Sequence, residues 1–172
     1  MSFWSDAGPS AWFKKSDTFD DAIRNSFSSE VVSARNGDLD AWLSEPVPAL
    51  ALILLLDQFP RNIFRNTLAM FESDAHALLS ANKTIQSGHD RQLDEKLRAF
   101  VYMPFMHSEN MADQERSLTL FDDLGIADNI KHAKAHADII RRFGRFPHRN
   151  PILGRTSTAE EITFLNAGGF AG

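Results

Sequence analysis

Two segments of this chain repeat one arrangement of side chains. Asp57-Gln58-Phe59-Pro60-Arg61-Asn62 and Arg145-Phe146-Pro147-His148-Arg149-Asn150 both set Phe-Pro ahead of an arginine followed by an asparagine. Proline fixes the backbone where a chain leaves a helix, and phenylalanine can anchor that exit to the core. The guanidinium and amide that follow then project from a held loop. A guanidinium fork matches a carboxylate or phosphate bidentately, so the chemistry this pattern fits is capture of a planar anion. Arg65 lies just past the first segment. Arg155 lies just past the second, next to Ser157, where the free N–H groups of a helix start would also favour an anion. The candidate ligand-binding set is Asp57, Arg61, Asn62, Arg65, Arg145, His148, Arg149, Asn150 and Arg155. The same arginines have a second use, which is to pair with internal carboxylates such as Asp57, Asp74 or Asp113 and tie helices together.

A second constellation is His107-Ser108-Glu109, just after Pro104, with Asp113 and Gln114 one turn on. Imidazole titrates near working pH, so His107 is a candidate general acid or base, with Glu109 to orient its ring. The structural alternative is that both residues cap a helix start. His132 and His136 stand i, i+4, a spacing that can hold zinc or nickel. The stretch between them lacks the glutamate of an H-E-x-x-H site, and its lysines oppose a dication, so no metal is expected. His136 joins His107 and Glu109 as a candidate proton carrier. No G-x-S-x-G, Walker A or Rossmann glycine pattern occurs, which leaves nucleophile-elbow hydrolases, P-loop NTPases and dinucleotide enzymes without support and any cofactor unspecified.

Composition sets the frame for these residues. The chain has 172 residues, which is one domain on the length prior, and no Pro/Gly/Ser tract divides it, so a single domain over residues 1–172 is expected. It contains no cysteine, which excludes disulfides, thiolate metal sites and cysteine nucleophiles. The opening residues lack the pattern of a secretory signal, and the longest apolar run, Val47 to Leu56, is too short to cross a bilayer. A cytoplasmic protein without membrane association is expected. The net charge of −5 disfavours nucleic acid, but the charge is uneven: Arg141 to Arg155 holds five arginines and no acid.

The elements that must position the candidates read as helices throughout. Phe19, Ile23, Phe27 and Val31 at i+4 spacing predict a helix from Asp17 to a glycine stop at Asn36-Gly37. An apolar helix from about Pro48 is expected to end at Phe59, halted by Pro60. A third is expected from Asn66 or Thr67 to Gln86, with Leu68, Phe71, Ala75, Leu78 and Leu79 inward. A fourth would be capped by Asp90 and bent or broken by Pro104, a fifth would run from Ser108 to Gly125, and a sixth from Asp128 to Gly144. Ser157 and Thr158 precede Glu160 and Glu161 by three residues, giving two capping-box registers for a last short helix. The expected fold class is all-α, about seven helices in stacked antiparallel pairs.

The motifs also carry a resemblance. Leu56 through Asn62 with Phe64-Arg65, Pro104 through Glu109 with Asp113-Gln114, and His136 through Asn150 to Leu153-Gly154-Arg155 resemble the signatures of an uncharacterised, largely bacterial family catalogued as domain of unknown function 924. Trp12-Phe13 and Phe19-Asp20 fit its opening, so the similarity spans nearly the whole chain. The resemblance implies an all-α fold similar to tetratricopeptide-repeat proteins and no known reaction. His136 lies inside the pattern and His132 outside it. If the packing brings the three segments together, Asp57, Arg61, His107, Glu109, His136, Arg145, His148 and Arg149 would line one cleft. The leading functional expectation is a site for a small phosphate- or carboxylate-bearing ligand, with His107, Glu109 and His136 as its candidate proton carriers. The alternative is a helical scaffold that grips an acidic peptide or protein partner.

Overall fold

The computed structural model describes residues 1–170, and every regular element among them is helical, as the 3.6-residue periodicity predicts. In chain order these are α1 (Ser2–Ala7), α2 (Pro9–Trp12), α3 (Asp17–Asn36), α4 (Pro46–Ile53), a π-turn (Leu54–Gln58), α5 (Phe59–Ile63), α6 (Asp74–Gln86), α7 (Glu95–His107), α8 (Met111–Leu124), α9 (Ala127–Phe143) and α10 (Ala159–Asn166). No helix among the described residues is long and apolar enough to cross a membrane. The chain forms two compact units, Met1–Pro104 and Phe105–Gly172.

The first unit is built on aromatic rings. Trp4 is buried against Trp12, Phe19, Phe59 and Phe100, with the Trp12 indole donating to the Trp4 carbonyl at 2.7 Å. Helices α1 and α2 supply these tryptophans, yet they are too short to show a period and do not stand out in the sequence. α3 starts on Ser16, whose hydroxyl accepts from the Phe19 amide. α4 is apolar nearly all round and buries Ala49, Leu50, Leu52 and Ile53.

Pro60 does not halt the chain after α4. The helix widens into the π-turn at Leu54–Gln58 and resumes as α5, with Pro60 in its first turn. The proline interrupts the ladder there, because it has no N–H to give the preceding turn. Its missing N–H would have met the Leu56 carbonyl, and the Ser73 hydroxyl donates to that carbonyl instead at 2.7 Å. Ser73→Ala is therefore expected to strand a buried carbonyl and lower stability by about 2 kcal/mol, read as a lower urea midpoint at unchanged slope.

α6 departs from expectation at both its start and its face. Asn66 takes a left-handed backbone (φ 63°) and a short 3₁₀ turn (Leu68–Met70) intervenes, so neither Asn66 nor Thr67 caps the helix. Leu68 and Leu79 are exposed, while Ala77, Ser80, Ala81 and Thr84 are buried on the side packed against α4. Small residues let two backbones approach, and that requirement outranks hydrophobicity at this face. Asp90 also has another role than capping: it is buried and accepts the Tyr102 hydroxyl at 2.6 Å, while the Asp94 carboxylate accepts the Lys96 amide at the start of α7.

The second unit takes the end of α7, which passes Pro104 unbroken, then α8, α9, a 3₁₀ turn (Pro147–Arg149) and α10. α8 and α9 pack on each other as a hairpin. Gly125 closes α8 and Gly144 closes α9, each with positive φ and its amide bonded back into the helix, a conformation open to glycine without a Cβ penalty. Asn110, in place of Ser108, caps α8 through the Ala112 amide. Thr158 and Glu161 complete the capping box of α10 in the second of the two registers. Ile139, Ile140 and Phe146 form the core, with Met111, Phe143, Phe164 and Phe170 packed around them.

Candidate functional site

In the first unit the Phe-Pro segment holds its polar groups at the π-turn. Asp57 is fully buried, accepts the Gln58 amide at 2.6 Å and pairs with Arg61 at 3.2 Å. The Arg61 guanidinium also reaches Asp74 at 3.0 Å and donates to the Asp57 carbonyl. Burial works against the Arg61 charge, but Asp57 and Asp74 outweigh it and raise its pKa above the ordinary value. Arg65 grips Asp20 with both fork nitrogens at 2.9 Å, and the Asn62 amide donates to the same carboxylate at 2.7 Å. Asp20 lies on α3, 45 residues from Arg65, and sequence reasoning assigned it no role beyond its place in the Phe19-Asp20 pair. Arg61, Asn62 and Arg65 thus bind internal carboxylates and tie α3, α5 and α6 together.

In the second unit the other two segments meet. Phe146, fully buried, fixes the loop after α9, and its amide donates to Glu109 at 2.9 Å. Arg155 donates to both oxygens of Glu109, at 3.0 and 2.8 Å. Glu109 is therefore engaged with Arg155 and a backbone amide. Arg145 forks onto Glu161 at 2.6 and 2.9 Å and also donates to the Thr156 carbonyl. Glu161 further accepts the Asn150 amide at 3.2 Å and the Thr158 backbone amide at 2.7 Å. The Arg145 bond, acting against burial and helped by Thr158, holds the Glu161 carboxyl at about 2. Glu161 was visible in the sequence only as half of a capping box.

Two histidines, His136 and His148, pack against Phe146, and His107 lies next to His136. The His136 ring lies 5.4 Å from Phe146, 4.5 Å from Phe170 and 6.5 Å from His107, centre to centre, and His148 lies 5.7 Å from Phe146 and 5.1 Å from Phe170. The Arg149 guanidinium sits over the Phe146 ring at 4.5 Å and donates to the His107 carbonyl at 2.9 Å. His136 is 6% exposed, and its Nδ1 stands 2.8 Å from the His132 carbonyl. A carbonyl can only accept, so Nδ1 carries the proton and Nε2 is left as the acceptor. Burial, with His107 adding like-charge repulsion, pushes the His136 pKa down to about 4, so the ring is neutral at working pH. Among the described residues no group of three or more His, Cys, Asp or Glu has the arrangement to hold a metal ion.

The model of the family described as "Bacterial protein of unknown function (DUF924)" matches residues 1–169. The chain belongs to that family. The DUF924 chain is also similar to a solved structure, the protein of unknown function ATU0120 from Agrobacterium tumefaciens. The two are 45% identical with a TM-score of 0.95, and the match covers 97% of this chain and 94% of that one. A comparison with curated proteins finds no significant match.

Proposed function

We propose that this DUF924 protein binds a small phosphate- or carboxylate-bearing ligand at the cluster of His107, His136, His148 and Arg149. The observation that carries the reading is the packing of the His136 and His148 rings and the Arg149 guanidinium on Phe146, with the His107 ring 6.5 Å from that of His136, in a loop held by its own core anchor. Arg149 is the arginine that joins the histidines, because its fork is bonded to the backbone of His107. Arg145, Asn150 and Arg155 support the loop from behind through Glu161 and Glu109. A neutral His136 in one tautomer offers Nε2 to a hydroxyl of the ligand, and a bound anion would raise the pKa of that ring towards the range in which it can take the proton.

The test is thermal unfolding against inorganic phosphate, nucleotides and dicarboxylates at matched ionic strength. A ligand at one hundred times its Kd adds about 2.7 kcal/mol, roughly 5–10 °C for a chain of this size. One anion class is expected to give such a shift, and Arg149→Ala is expected to abolish it. No shift across the panel overturns the reading. A scaffold for a peptide or protein partner is the second reading. It is favoured by an open groove of about 280 Å³ beside α9, lined by Ile139, Phe143, Phe164 and Phe170 with Arg142 and Asp138.

A further inference from the structure

A helix C-terminus leaves its last carbonyls without helical partners, and the end of α7 is the backbone that carries His107. Two side chains from other elements meet those carbonyls. The Gln114 amide nitrogen donates to the Met106 carbonyl at 2.8 Å and the Ser108 carbonyl at 2.6 Å, with the Phe105 carbonyl further off at 3.4 Å. Arg149 donates to the carbonyl between them, that of His107. The peptide groups on both sides of the His107 Cα are thereby held, one by α8 and one by the turn at Pro147–Arg149.

Gln114 is fully buried, and this has a cost. Its Oε1, and the Ser117 hydroxyl one turn on, are buried with no hydrogen-bond partner among the described residues. A leucine or methionine of similar volume would spare the orphaned Oε1 but would leave the Met106 and Ser108 carbonyls without the donor they have. The donor end of the amide is what an apolar residue cannot replace.

We infer that Gln114 is a positioning residue of the anion site, which fixes the backbone at Met106–Ser108 and so sets the His107 ring beside that of His136, 6.5 Å away. The inference depends on the anion-site reading for its functional meaning, but the orientation of His107 is measurable without a ligand. The experiment follows the imidazole resonances by NMR in wild type and Gln114→Met, first through a pH titration and then through a titration with inorganic phosphate. The variant is expected to move the His107 titration midpoint and ring shifts, and to weaken the phosphate response of His107 at least fivefold, while the His132 curve stays in place. An unchanged His107 curve in a folded variant overturns the inference. If wild type gives no phosphate response, the anion reading fails, and the His107 curves still decide the positioning role. Should Gln114→Met not fold, the wild-type side-chain amide protons of Gln114 decide it. Slow exchange with deuterium is expected, and exchange at the rate of an exposed amide overturns the proposal.

Discussion

Glu161→Ala is expected to lower stability by about 3–5 kcal/mol, the range for breaking a buried charged network at one partner. Glu161 is 2% exposed and does four things at once: it receives both fork nitrogens of Arg145, the Asn150 amide and the Thr158 backbone amide. Removal undoes half of the α10 capping box and releases the loop that carries Asn150 and Arg149. The loss would show in urea unfolding at neutral pH, and Glu161→Gln should recover part of it because the amide still offers an acceptor to Thr158. A loss below about 1 kcal/mol would mean that Arg145 and Asn150 find other partners and that the network is not what holds the loop. The carboxyl is held at about 2 against an ordinary value of 4.5, so its contribution is complete above pH 4.5 and disappears as pH falls from there towards 2.

The parts of this architecture that were legible in the sequence are those set by local chemistry. Gly37, Gly125 and Gly144 end helices because a left-handed residue does so whatever packs nearby, and Thr158-x-x-Glu161 starts one because both partners lie in a single turn. The seven helices of eight or more residues among the described residues correspond to the seven expected from periodicity and capping. The failures share a cause in long-range packing. Pro60 is tolerated because Ser73, thirteen residues on, supplies the donor it lacks, and the buried face of α6 is chosen by close approach to α4. The site follows the same division. The sequence marks Arg65, Arg145 and Arg155 as able to grip a carboxylate, which is what they do, but the carboxylates are Asp20, Glu161 and Glu109, 45, 16 and 46 residues away. Nothing in residue spacing selects those partners over a ligand. The motif positions that gather as a histidine cluster, His107, His136 and His148, come from three separate elements, and only the fold brings His136 and His148 to Phe146 and His107 to His136.

That cluster gives the second large effect, a dependence of stability on pH with its own window. His136 titrates near 6.5 when exposed and near 4 in the folded chain, so between those values the unfolded state binds a proton that the folded state refuses. Stability is then full above pH 6.5 and falls as the pH drops to 4, by about 3 kcal/mol at 1.36 kcal/mol for each unit of pKa. Below pH 4 this term is exhausted, and the Glu161 loss continues towards pH 2, so the two groups act in successive windows. His136→Phe removes the titration while keeping an aromatic ring against Phe146 and Phe170. The measurement is the urea midpoint at pH 7, 6, 5 and 4.5 for both proteins. Wild type is expected to lose most of the 3 kcal/mol over this interval and the variant to run nearly flat, apart from carboxylates common to both. Parallel curves would show that His136 is reached by water or by a countercharge in solution. If phosphate flattens the wild-type curve alone, the bound anion supplies the countercharge that burial withholds, and proton uptake and ligand binding are one coupled event at this ring.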